Sequence, residues 1–117
     1  ECPILLETPA GQGSEMFCTI DAFMTFVSDI NDPRLRICLD TCHVFASGIC
    51  PLHYLQTILN NPVWKPMLQL VHYNDSYGGH GSCIDRHAPI GKGAIPHDIL
   101  YECARLCYDN GIDMVIE

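Results

Sequence analysis

Seven side chains in this sequence could hold divalent metal ions, and their placement along the chain is regular. Four apolar runs each stop on one of them: Ile4-Leu5-Leu6 at Glu7, Leu35 to Leu39 at Asp40, Leu68 to Val71 at His72, and Met114-Val115-Ile116 at Glu117. A set of three carboxylates and an imidazole with no counter-charge beside it calls for a cation. Two short clusters add the rest. Asp40-Thr41-Cys42-His43 places His43 one helical turn beyond Asp40, so the two can serve neighbouring ions. In an extended Asp85-Arg86-His87, the first and third side chains point the same way. A Zn2+ ion held by His43, Asp85 and His87 would keep an open coordination position, the pattern of a catalytic site rather than a sealed structural one. A metallo-enzyme is the first function to expect.

For these residues to meet, four strands must deliver their ends to one place. Intervals of roughly 30–45 residues separate the strand ends, more than the dozen or so that a crossover between parallel strands needs. A parallel sheet of this kind carries all its C-terminal ends on one face. Ser14 is the expected N-cap of a helix reaching about Ile30, with Phe17, Ile20, Phe23, Met24 and Val27 forming its core face. Asn31-Asp32-Pro33 stops it. A loop or short helical turn follows over Thr41 to Phe45, and the next helix runs from Leu52 to about Leu59. A long polar loop extends from Tyr73-Asn74-Asp75 to Ala94. About Pro96 to Asn110 is the last helix, with Pro96 in its first turn and Gly111 at its stop. Met16, Met24 and the aromatic residues read as core. The order β-α-β-α-β-α-β is half of a (β/α)8 barrel or a small open α/β sheet. Gly11-Gln12-Gly13-Ser14 and Gly91-Lys92-Gly93 match neither a dinucleotide-binding fingerprint nor a P-loop.

The 117 residues amount to one domain, and both ends fall on strands, so residues 1–117 are expected to be part of a larger domain, truncated at both ends. No apolar run approaches the ~20 residues of a membrane span. No secretory pattern opens the chain, and an intracellular location is expected. None of the eight cysteines forms a Cys-x-x-Cys pair. Cys38 falls in a strand pattern, and Cys103 and Cys107 share a helix face, so free thiols acting as small hydrophobes are the expectation, with one surface disulfide left open. The net charge of −8, with only six Lys and Arg, argues against a broad basic DNA-binding face in this segment. A metal-centred phosphate site stays compatible with it. Three divalent ions among Glu7, Asp40, Asp85 and Glu117 would bring about six positive charges to the place where a phosphate would sit.

Four segments carry a family resemblance: Leu6 through Ser14, Cys38-Leu39-Asp40-Thr41-Cys42-His43, Val71-His72-Tyr73-Asn74-Asp75, and Ile84-Asp85-Arg86-His87 through Ile90-Gly91-Lys92-Gly93. In this order they resemble endonuclease IV, the AP endonucleases with a (β/α)8, xylose-isomerase-like TIM barrel and a three-zinc site. The family motif Glu-Asn-Thr-Ala-Gly is replaced by Glu7-Thr8-Pro9-Ala10-Gly11, a departure that, with the abundant cysteines, resembles viral or otherwise divergent members. The resemblance implies the C-terminal half of the barrel, strands five to eight. It implies that Glu7 bridges two zinc ions, that Asp40, His72 and Glu117 complete one of them, and that His43, Asp85 and His87 hold the third. Two further histidine ligands would come from the other half, so this segment can complete two of three sites. Glu117 would orient or deprotonate the attacking water, Arg86 would contact a phosphate, and Asn74 and Asp75 would support His72. The implied reaction is hydrolysis of the phosphodiester 5′ to an abasic site in double-stranded DNA during base excision repair, leaving a 3′-hydroxyl and a 5′-deoxyribose phosphate. The expected full-length protein is a monomer without membrane contact.

His53 and His97 fall in helix patterns and read as surface residues, and Gln12 reads as part of a turn. Two rival functions are open: a sugar isomerase or epimerase on the same barrel, using Mn2+ or Mg2+, and an inactive metal-binding fragment. The isomerases share the four strand ends but lack the additional His43 and Asp85-x-His87 set, which favours the nuclease.

Overall fold

The structure is a computed structural model and describes residues 2–117. Four parallel strands form one sheet in the order β1-β2-β3-β6: β1 is Ile4–Glu7, β2 Leu35–Asp40, β3 Leu68–His72 and β6 Asp113–Val115. Four helices accompany them: α1 Ile20–Ile30, α2 Thr41–Ala46, α3 Pro51–Leu59 and α4 His97–Asp109. The register pairs Glu7 with Cys38, Asp40 with His72 and His72 with Val115, which lines up the strands' C-terminal ends. The last strand stops at Val115, two residues before Glu117, and the whole of β6 is exposed.

The core lies between the sheet and the helices α1, α3 and α4. Phe23, Met24 and Val27 of α1, Tyr54, Leu55 and Ile58 of α3, and Cys103 and Cys107 of α4 pack on Ile37, Leu39 and Val71. Alternation along β2 then turns Cys38 and Asp40 to the opposite face. That periodicity is what separates the core from the site.

Two elements differ from the sequence expectation. The first helix begins at Ile20 with Thr19 as its N-cap, whose hydroxyl accepts from Ala22 N at 3.2 Å. Ser14 is not the cap. Phe17 at φ 63° interrupts the run, so Gly11 to Cys18 folds as a loop instead, with the Glu15 carboxylate accepting from Gly11 N and Gln12 N. The second difference is a short antiparallel hairpin inside the long polar loop, β4 Asp75–Ser76 with β5 His87–Ala88. The helix ends follow expectation, with Asn31 left-handed after α1 and Gly111 at φ +65° after α4. Met16, Tyr77, Tyr101 and Tyr108 are exposed rather than core. Among the described residues, no helix is long and apolar enough to cross a membrane.

Candidate metal centre

The sheet brings all seven candidate ligands to one face, in two groups. Glu7, Asp40, His72 and Glu117 offer ligand atoms all within 4.8 Å of one another, and so do His43, Asp85 and His87. Each arrives by a different local device. Glu7 and His72 end β1 and β3. Asp40 ends β2 and caps α2, its Oδ1 accepting from His43 N at 2.9 Å. That leaves Oδ2 free to face inward. His43 then follows on the first turn of α2. β5 brings in His87, and just before it the Arg86 carbonyl accepts from Tyr77 N at 2.9 Å, so Asp85 and His87 join one ligand group while Arg86 stays exposed, 5.9 Å from the Tyr77 ring centroid.

Charge and hydrogen bonding show what the site lacks. His72 Nδ1 has three carboxylate oxygens around it, Glu7 Oε1 at 2.9 Å, Glu117 Oε2 at 3.1 Å and Asp40 Oδ2 at 3.8 Å. One N–H cannot serve three acceptors. Among the described residues, arginine ion pairs go to Asp32, Glu102 and Asp109, and no lysine or arginine reaches this cluster. Asp40 is fully buried, and burial pushes its carboxyl above the ordinary range, against the pull of His43, His87 and the Asn74 amide.

The imidazoles repeat the pattern. His43 Nδ1 lies 2.8 Å from the Thr8 carbonyl, which can only accept, so Nδ1 carries a hydrogen. The neutral ring then presents a bare lone pair at Nε2, facing Asp85 Oδ1 at 3.1 Å. Two lone pairs in contact need a proton or a metal between them. Burial opposes a charged His43, but Asp40, the Thr8 hydrogen bond, Asp85 and Glu7 outweigh it and raise its pKa. His87 Nε2 is buried without a hydrogen-bond partner, 3.4 Å from Asp85 Oδ1 and 3.6 Å from Asp40 Oδ2. An oriented ring with its second nitrogen on a carbonyl, and a neighbour with an orphaned nitrogen, fit a divalent ion bound by nitrogen and oxygen ligands.

Comparison with known proteins places this geometry. The family model described as xylose isomerase-like TIM barrel matches residues 1–117. A probable endonuclease 4 of Symbiobacterium thermophilum is 36% identical over 99% of this chain and 44% of its own length. The apurinic-apyrimidinic endonuclease 1 of Plasmodium berghei is 36% identical over 97% of this chain and 24% of its own length. The chain belongs to the endonuclease IV family. The crystal structure of endonuclease IV from Thermus thermophilus matches 97% of this chain and 42% of that one at 30% identity, with a TM-score of 0.75. This segment is thus part of a TIM barrel and spans less than half the length of these endonuclease IV-type relatives.

Within that family framework, Asn74 supports candidate ligands, but not the His72 that the sequence suggested. Asn74 bonds neither nitrogen of His72. Its Nδ2 donates to Asp40 Oδ2 at 2.9 Å and Glu117 Oε2 at 3.1 Å, and its Oδ1 accepts from Glu117 N. Asp75 does not support His72 either. It is buried, and it accepts from the backbone N–H groups of Ser76, Gly91, Gly93 and Ile95, which ties down the segment after β5. Arg86 is exposed and lies outside both ligand groups.

Thr8 and Thr41 were missed. Thr8 Oγ1 accepts from Asp40 N at 3.0 Å, and Thr41 Oγ1 donates to the Asn74 carbonyl at 2.6 Å while accepting from Asn74 N. Both are buried side chains that fix a ligand or its partner. Cys38 and Cys42, read as core thiols, also border the two groups, beside Glu7 and His72 and beside Asp40 and His87. Burial pushes their thiols up to about 12 and about 11, so they sit there as neutral S–H groups at neutral pH. The only sequence signal for them was alternation, Cys38 being two residues before Asp40 and Cys42 two after it.

Proposed function

We propose that the full-length protein is a zinc-dependent DNA-repair endonuclease that hydrolyses the phosphodiester 5′ to abasic sites in double-stranded DNA. The observation that carries this reading is the second ligand group. A sugar isomerase needs only the Glu7, Asp40, His72 and Glu117 set, whereas His43 with Asp85 and His87 supports a further ion beside it. Glu7, Asp40, His72 and Glu117 would hold one zinc, His43, Asp85 and His87 another, and Glu7 would also reach a third completed by residues outside this segment. Zinc in such a site supplies Lewis acidity toward phosphoryl oxygens and lowers the pKa of a water from 15.7 toward about 7.

The chain's own groups orient the reaction. Glu117 is more than a third exposed while Asn74 pins its Oε2 and its backbone N–H, so it can meet an attacking water and accept its proton. Asp40 is held by Thr8, Asn74 and its own cap to His43, so it keeps its position as charge moves in the site. Arg86 is exposed beside the site and free of any carboxylate partner, which suits it to a flanking DNA phosphate. The bond that breaks is P–O3′, leaving a 3′-hydroxyl and a 5′-deoxyribose phosphate. We place the enzyme inside the cell, acting as a monomer.

The test is incision of a duplex oligonucleotide with one abasic site by the full-length protein. The expected product has a 3′-hydroxyl that a polymerase extends directly. A blocked 3′ end, or no incision alongside ketose turnover, would overturn the reading.

A further inference from the structure

Two thiols outside the ligand groups converge on one point. Gly11 lies at φ +85° in the loop between β1 and α1, and a Cβ built on it would sit 3.3 Å from Cys83 Sγ and 3.8 Å from Cys18 Sγ. No side chain grows from Gly11 to separate them. The two loops are held in this arrangement by hydrogen bonds that do not involve the thiols' own pairing. Glu15 binds Gly11 N and Gln12 N, and Cys83 N donates to the Ala46 carbonyl at 2.9 Å. Cys38, Cys42, Cys103 and Cys107 are buried, but Cys83 is exposed and Cys18 partly so. Both sulfurs therefore lie within 3.8 Å of one point beside Gly11, and both can be reached from solvent.

We propose that Cys18 and Cys83 are a reversible oxidation site, forming a disulfide with a peroxide as oxidant. Cys83, the more exposed thiol, meets the peroxide first. Its sulfur attacks one peroxide oxygen, the O–O bond breaks, and a sulfenic acid and one water result. Cys18 then attacks the Cys83 sulfur, the S–O bond breaks, and the oxygen leaves with the released proton as a second water. Two thiols are oxidised and one peroxide is reduced. An intramolecular partner acts at an effective concentration on the order of mM, so this link should exceed intermolecular pairing in µM protein by about 10³-fold.

The position gives the link a consequence. Cys18 lies in the loop that follows Glu7, and Cys83 lies two residues before Asp85. Closing it fastens the β1–α1 loop to the segment that carries Asp85 and leads into β5 at His87. The link itself is independent of the nuclease reading.

The experiment treats the full-length protein with hydrogen peroxide, blocks free thiols with iodoacetamide and maps peptides without reductant. The expected result is one cross-linked peptide pair, Cys18 with Cys83, short by two hydrogens and restored by dithiothreitol. Amide exchange over residues 81–87 should slow on oxidation and should not change in C83S. Overturning results are alkylated Cys18 and Cys83 after Cys2 has been oxidised, Cys83 advanced to an unlinked sulfinic acid, or a link from either thiol to another cysteine. The wild-type peptide map decides the matter even if a variant fails to fold.

Discussion

Asp40 divides its two oxygens between two tasks, capping α2 with Oδ1 and facing Asn74 and three imidazoles with Oδ2. A fully buried carboxylate without a lysine or arginine partner is costly unless a cation is bound. Replacing it by Asn keeps a cap acceptor and removes the charge. D40N should therefore lose at least about 100-fold in zinc affinity, more than an outer-shell change costs, while its metal-free form loses no more than about 1–3 kcal/mol, the cost of the Asn74 hydrogen bond that the single Asn oxygen cannot also accept. Zinc titration and urea unfolding of the two proteins would check both halves. A second prediction concerns Thr8, whose hydroxyl is the acceptor for the buried Asp40 N–H. T8V should cost about 1–3 kcal/mol in urea unfolding and T8S much less, since the serine keeps an acceptor. Asp40 was legible in the sequence because it ends an apolar run. Thr8 was not, because its partner lies across a strand register that periodicity does not encode.

At the level of elements, the hairpin β4–β5 and the segment behind it aim His87 and Asp85. Asp75 holds that segment through the N–H groups of Gly91, Gly93 and Ile95, and a Cβ on Gly93 would collide with the Asp75 carboxylate and the Ser76 carbonyl. D75A should therefore cost about 1.5–3 kcal/mol per bond lost and accelerate amide exchange over residues 91–95 before it affects α1 or α3. Equal acceleration everywhere would place Asp75's effect on global stability instead. The helix α3 was legible from apolar spacing, though it starts one residue earlier, at Pro51, and α4 from apolar spacing with Pro96 and Gly111 at its ends. The start of α1 was not, because Ser14 has cap chemistry but Phe17 adopts a left-handed backbone that only tertiary contacts hold, stacked 4.4 Å from Phe26. A hairpin of two residues per strand is too short to leave any periodicity.

On the scale of the whole molecule, the sheet has two open edges, and apolar residues sit on them: Ile4 on β1 and Met114 and Val115 on β6 are exposed. Parallel sheets are normally covered on both faces and closed or capped at their edges. Four strand ends and their spacing fitted half a barrel or a small open sheet, the family resemblance chose the half barrel, and the parallel order β1-β2-β3-β6 agrees with it. The endonuclease IV relatives are more than twice as long as the part this chain matches. We propose that this segment brings two metal sites, built on its two groups of candidate ligands, to one strand-end face. Elemental analysis of the full-length protein and its H87A variant tests it most directly. The wild type should carry zinc and H87A one equivalent fewer, and the variant should lose abasic-site incision by at least about 100-fold. A single Mn2+ per chain, with H87A retaining the wild-type metal content, would contradict it.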